Sequence, residues 1–154
     1  MPADPQTATA HVQLVDGYRF TVTFPDVAGA DRMTLDEGAP PGAGAGPTPT
    51  GLLAAAVGGC LASSLTLSLN EARLEPDAVN AHVTAHVERN ASGRLRIERI
   101  DVELTPCFPG SDARRFERCK AIYEECCTVT ESVRRGIPVN VRVARCGEDV
   151  TRAA

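Results

Sequence analysis

The chain has 154 residues, one domain's worth, with 16 basic side chains against 20 acidic ones and a net charge of −4. That balance argues against a nucleic-acid binder, which presents a basic face. A hydrophobic content of 43%, with four Phe, two Tyr and no Trp, implies a packed aliphatic core rather than disorder.

In chain order, residues 11–15 (HVQLV) and 18–24 (YRFTVTF) alternate apolar and polar side chains, as half-buried strands do. Asp16-Gly17 between them is a two-residue hairpin signal. Residues 32–36 (RMTLD) predict a third strand, and residues 37–47 (EGAPPGAGAGP) a Gly/Pro loop with no regular element. The GAGAG run is no phosphate cradle, since it lacks both the G-x-G-x-x-G spacing and a Lys.

A helix is then predicted from Pro49, with Thr48 as N-cap, to about Leu74, where Glu75-Pro76 stops it. It is apolar on every side until Asn70, which calls for burial all round. One chain of this size struggles to cover such a helix, and a second copy would help. Residues 51–69 carry no charge and approach the length that spans a bilayer. Their Gly, Ser and Thr content and the lack of a flanking basic cluster favour a helix buried in protein, with a membrane anchor as the alternative.

Residues 79–87 alternate again, Asn90-Ala-Ser-Gly93 turns, and residues 95–104 return with a change of phase between Ile97 and Ile100 that implies a bulge. Residues 106–110 read as a loop. Ala113, Phe116, Cys119, Ile122 or Tyr123, and Cys126 recur at helical spacing, so a second, amphipathic helix carries them on its apolar stripe. Thr128 and Glu131 form a Thr-x-x-Glu capping box for a short third helix, ended by Gly136 and Pro138. Val139, Val141 and Val143 mark one face of a last strand. The order β-β-β-α-β-β-α-α-β is an α+β class, read as a single domain, residues 1–154.

Six cysteines (Cys60, Cys107, Cys119, Cys126, Cys127 and Cys146) are the informative count. The N-terminal residues show no basic region followed by an apolar one, so no secretory signal is visible and a reducing, cytoplasmic setting with mostly free thiols is expected. No spacing fits a structural zinc site. Cys60 follows Gly58-Gly59 in mid-helix. Two glycines there cost about 2 kcal/mol of helix propensity, which points to close helix–helix approach or ligand access. A small buried apolar role for Cys60 is the plainer reading. Cys127 precedes the predicted N-cap, where unpaired N–H groups favour a thiolate; Glu124, Glu125 and Glu131 oppose this and Arg134 and Arg135 counter them. Cys119 and Cys126 read as core thiols, and Cys107 and Cys146 as exposed thiols without a role. His82 and His86, on the polar face of a strand, read as solvated.

The run GPTPTGLLAAAVGGCLASSLTLSL, followed 67 residues after Cys60 by CTVTESV and then GIPVNV, resembles the OsmC/Ohr family over roughly residues 47–143. That resemblance implies an OsmC-like fold, antiparallel sheets around a long buried central helix in an intertwined homodimer whose active sites lie between subunits. It further implies a thiol-dependent peroxidase acting on organic hydroperoxides or hydrogen peroxide in the oxidative stress response. Cys60 would be the attacking thiolate and Cys127 the resolving thiol that closes an intramolecular disulfide. An external dithiol, lipoyl-type in the hydroperoxide-resistance branch, would restore both, with no metal or organic cofactor and no nucleic-acid or membrane partner.

The chain departs from the family pattern at Thr50, where better-known peroxidases carry a Glu, and at Thr128, where a Pro usually follows the second cysteine. The loop 37–47 contains no Arg, so Cys60 is activated by Arg19, by Arg32 or by no cation, and no local motif favours either arginine. Cys126 is a possible competitor of its neighbour. The competing expectation is a non-catalytic dimer that holds a small apolar molecule in the interfacial pocket; Thr50 favours it, and the Cys60/Cys127 pair favours redox chemistry.

Overall fold

The computed structural model describes residues 7–110 and 112–147. The chain divides into two compact units, Met1–Leu52 and Leu53–Ala154. The element order matches the pattern expected from the sequence.

The first unit is a three-stranded antiparallel sheet in the order β1 (His11–Asp16), β2 (Arg19–Thr23), β3 (Met33–Asp36). Register stacks Val12 beside Val22 and Met33, and Leu14 beside Phe20 and Leu35, so one face is apolar, as period-2 patterning requires. The hairpin turns one residue later than its sequence suggests: Asp16 pairs with Arg19, leaving Gly17 and Tyr18 in the turn. An irregularity between Leu14 and Asp16 takes Val15 out of register, and Gly17 supplies the positive φ of 53° that the turn needs. The Gly/Pro loop has no regular element, yet it is organised. Asp36 is buried, and its Oδ2 accepts hydrogen bonds from the N–H groups of Ala43 (3.2 Å) and Ala45 (3.0 Å).

Helix α1 (Pro49–Glu71) starts as predicted, with Thr48 Oγ1 accepting from the Gly51 N–H at 3.1 Å. It ends three residues early. Arg73 adopts a left-handed φ of 58°, and the Leu74 N–H turns back to the Leu69 carbonyl at 2.9 Å, a C-terminal closure that glycine usually performs.

The second unit packs Val57, Leu61, Leu65 and Leu69 of α1, one residue per turn, onto Ile100, Val102 and Leu104 of β5. Strands β4 (Ala78–Arg89) and β5 (Leu95–Cys107) form a long hairpin, and β6 (Val139–Val143) adds beside β5. The β5–β6 pair is parallel, so this sheet is mixed, because the helical crossover returns the chain in the direction of β5. The predicted bulge is present: His86 pairs with Arg99 and Val87 with Ile97, leaving Glu98 unpaired. Pro106, expected to open a loop, instead lies buried near the end of β5. It has no N–H to offer the strand beside it, but its carbonyl accepts from the Cys146 N–H at 3.0 Å.

Helix α2 (Ala113–Ile122) buries Phe116 and Cys119. A 3₁₀ turn (Tyr123–Cys126) and the short helix α3 (Thr128–Val133) follow. Burial of α1 on all sides is not what this chain shows. One face is buried, while Leu67 is 56% exposed and Gly59 and Ser63 are open, because sheet and α2 cover only one side. The buried face nevertheless sits at the centre of the core, so α1 is a core helix, although it is long and apolar enough to cross a membrane.

Candidate functional site

Cys60 sits near the middle of α1, half-buried against the core. The glycine before Gly59 explains how the helix lies: a Cβ on Gly58 would stand 2.5 Å from Val83 Cγ2, whereas one on Gly59 would meet nothing within 4 Å. The close approach is therefore helix on strand rather than helix on helix. Gly58 lets α1 lie against β4, and Gly59 leaves the helix surface beside Cys60 open.

Cys127, in the core cluster against which Cys60 packs, comes to it from the turn before α3. The two cysteines form a disulfide with Cα atoms 5.8 Å apart, a normal separation for such a bond. The local caps differ from the expected ones. Thr128 is the first helical residue rather than the N-cap; Cys127 holds the cap position in an extended conformation, with its carbonyl accepting from the Glu131 N–H at 3.0 Å. The Thr-x-x-Glu box does not form, because α3 starts one residue earlier and puts Cys127, not Thr128, at the N-cap.

Cys127 and Thr130 are both fully buried, and the Thr130 hydroxyl donates to Cys127 Sγ across 2.9 Å; an oxidised sulfur has no proton of its own to give. Thr130 is the site residue that sequence reasoning missed. Its only signal was its place three residues after Cys127, one helical turn on.

Three of the charges near Cys127, Glu124, Glu131 and Arg134, are spent on one another. Arg134 donates to Glu124 and, at 2.8 Å, to Glu131, and its Nε reaches the Val139 carbonyl at 3.3 Å. Burial works against its charge, but the hydrogen bonds it donates to Glu124 and Glu131 outweigh that and hold the guanidinium above its ordinary value. Tyr123, buried, donates to Glu124 at 3.3 Å; burial first and the Glu124 charge second push its phenol well above the usual range. These contacts brace the 3₁₀ turn against α3 and β6, so Arg134 serves the frame rather than the sulfurs.

The remaining sequence candidates are distributed as follows. Cys119 is a core thiol, as expected, donating to the Ser68 carbonyl at 3.3 Å. Cys126, expected on the apolar stripe, is exposed. The chain tightens from α-helix to 3₁₀ after Ile122, and each residue then turns by a larger angle, which places Tyr123 inward and Cys126 outward. His86 is not simply solvated: its Nε2 lies 2.8 Å from Asp101 Oδ2, and Arg99 Nη2 meets its Nδ1 at 3.2 Å. A donor at Nδ1 puts the ring proton on Nε2, pointing at the carboxylate. In the first unit Arg19 pairs with Asp16 at 3.8 Å, and Arg32 lines a polar concavity with His11, Gln13, Thr21 and Thr23. Among the described residues no cluster of three or more His, Cys, Asp or Glu suits a metal ion.

A family profile described as OsmC-like protein matches residues 42–142, a span that holds α1, Cys60 and Cys127. The chain belongs to the OsmC-like family. No curated protein matches the sequence. Among solved structures, an OsmC-like protein of unknown function from Vibrio cholerae is 14% identical, with a TM-score of 0.77 over 91% of this chain and 100% of that one. An organic hydroperoxide resistance protein from Legionella pneumophila is 19% identical, with a TM-score of 0.68 over 90% of this chain and 97% of its own. The organic hydroperoxide resistance protein OhrB of Bacillus subtilis is 20% identical, with a TM-score of 0.64 over 90% and 98%. At these identities the likeness shows the fold of this OsmC-like chain, and its chemistry rests on its own residues.

Proposed function

We propose that this OsmC-like chain is a dithiol redox protein that reduces organic hydroperoxides or hydrogen peroxide through Cys60 and Cys127. The observation that carries the reading is the disulfide between a half-buried thiol on the core helix and a fully buried one. In the reaction, the Cys60 thiolate attacks the outer oxygen of the O–O bond. The alcohol (or water) leaves, and Cys60 becomes a sulfenic acid. Cys127 then attacks that sulfur, water departs, and the disulfide closes. Two electrons have passed from the thiols to the peroxide. An external dithiol, lipoyl-type by family resemblance, restores them by exchange. Cys60, the more accessible sulfur, is the one attacked, which makes Cys127 the leaving group; the Thr130 hydroxyl is placed to receive its developing charge. No metal or organic cofactor takes part.

The working unit in this reading is a cytoplasmic homodimer. Val12 and Leu14 are each 58% exposed, and Leu67 of α1 is 56% exposed; a second copy is the simplest cover for apolar surface of this kind. A stable folded monomer at low micromolar concentration, seen by sedimentation, overturns the dimer.

The test of activity is stopped-flow consumption of cumene hydroperoxide and hydrogen peroxide with a lipoyl dithiol as reductant. Cys60→Ser abolishes consumption, and Cys127→Ser permits one oxidation and traps a sulfenic or sulfinic acid. Thr50, Arg19 and Arg32 define the activation question: Arg19→Ala or Arg32→Ala slows the first step if that side chain activates the thiol. Rates no faster than those of a free thiol with a pKa of about 8.5 overturn the reading and place the chain with the apolar-ligand binders.

A further inference from the structure

The parallel pairing of β5 with β6 sets Ile100 beside Val139 and Leu104 beside Val143. Hydrogen bonding continues past the last paired residues, from the Ala144 N–H to the Leu104 carbonyl and from the Cys146 N–H to the Pro106 carbonyl, both 3.0 Å. Carrying the same register forward brings Cys146 beside Cys107. Neighbours in register share a face, and this one is the polar outer face on which Asn140 donates to Asp101 at 2.8 Å. The placement is fixed from behind: Arg145 lies over the Phe108 ring, 4.2 Å from its centre, and donates to the carbonyls of Phe108 and Gly110. Cys107 is half-buried and Cys146 exposed, both as free thiols.

We propose that Cys107 and Cys146 form a second redox dithiol, separate from Cys60 and Cys127, that closes by exchange with low-molecular-weight disulfides. The Cys146 thiolate, the more accessible, attacks one sulfur of the small disulfide; that S–S bond breaks and one small thiolate leaves. The Cys107 thiol, as its proton departs, attacks the Cys146 sulfur of the mixed disulfide, and the second small thiolate leaves. One S–S bond has formed and one has broken, two electrons have moved from the protein to the small disulfide, and the two thiol protons end on its two products. The Cys146 thiol beside Cys107 holds the latter above the ordinary thiol range, consistent with Cys107 acting second. Closure ties together both ends of residues 108–145, the segment that carries Cys127. Oxidant load in the small-thiol pool would thereby be recorded in the frame around the peroxide site.

The test equilibrates the full chain, and a Cys60→Ser/Cys127→Ser chain, in glutathione buffers of increasing oxidised fraction. Free thiols are then alkylated and the peptides mapped. The expected result is a Cys107–Cys146 linked peptide that accumulates equally in both chains, while Cys107→Ser leaves Cys146 carrying glutathione. Amide exchange at Ala144 and Cys146 slows at least tenfold on oxidation. Free thiols or separate glutathione adducts at the most oxidising ratio, or linkage of either residue to any other cysteine or to a second chain, overturn the proposal. Unchanged exchange overturns the clamping of the segment. None of these outcomes depends on peroxide consumption.

Discussion

Replacing Gly58 with alanine sets two opposed effects against each other at one atom. Alanine in mid-helix is favoured over glycine by about 1 kcal/mol. The new Cβ, however, would stand 2.5 Å from Val83 Cγ2 and 3.6 Å from Ala81 Cβ, against a comfortable carbon–carbon distance of about 3.5–4.0 Å. Val83 is β-branched and stiff at χ1, so helix and strand must part by roughly 1 Å or Val83 must leave its rotamer. Overpacking of this kind costs about 1–3 kcal/mol. The clash wins, and the expected net loss is about 1 kcal/mol. Gly59→Ala meets no neighbour within 4 Å and gains about 0.5–1 kcal/mol. The assay is urea unfolding of the oxidised chain followed by circular dichroism, with both variants repeated on a Val83→Ala background. There the clashing methyl is gone, and Gly58→Ala becomes neutral or stabilising. A Gly58→Ala chain as stable as the parent, or one that loses the same amount with and without Val83, refutes the reasoning. A Gly59→Ala chain that loses stability shows that a second copy packs on that face.

Thr130→Val keeps the shape but removes the hydroxyl that donates to Cys127 Sγ; with about 1.4 kcal/mol at stake, reduction of the Cys60–Cys127 disulfide by a dithiol slows roughly tenfold, and Thr130→Ser restores it, as measured by thiol release. Arg73→Gly relieves a left-handed residue at the end of α1 and stabilises by about 1 kcal/mol, read as a higher urea midpoint. The Asp101 carboxyl is held below its ordinary value by the Asn140 amide first, with burial opposing and Arg99 and His86 assisting. A depressed carboxylate contributes stability that is full above about pH 4 and is lost as pH falls through its folded value. Asn140→Ala raises that value, so a carboxyl-carbon titration of Asp101 shifts to higher pH and the acid limb of unfolding moves with it.

Local features were legible because they depend on near neighbours in sequence. Period-2 alternation defined the strands, Thr48-Pro49 defined the start of α1, and the phase change between Ile97 and Ile100 marked the bulge that leaves Glu98 unpaired. The CTVTESV and GGC motifs, through family resemblance, also pointed to Cys60 and Cys127, joined in the structure as a disulfide. What the sequence could not carry depends on how side chains meet once the chain is folded. The exposure of Cys126 follows from a helix that tightens where Tyr123 seeks the core, and a capping-box pattern gave way because α3 starts one residue earlier, with Cys127 at its N-cap. Gly58 has its meaning only against Val83, and Thr130 only against the Cys127 sulfur. Cys107 and Cys146 read as exposed thiols without a role until the parallel ladder of β5 with β6, strands joined by a helical crossover, set their register. Periodicity tells each segment which face to bury; only packing decides what that face meets.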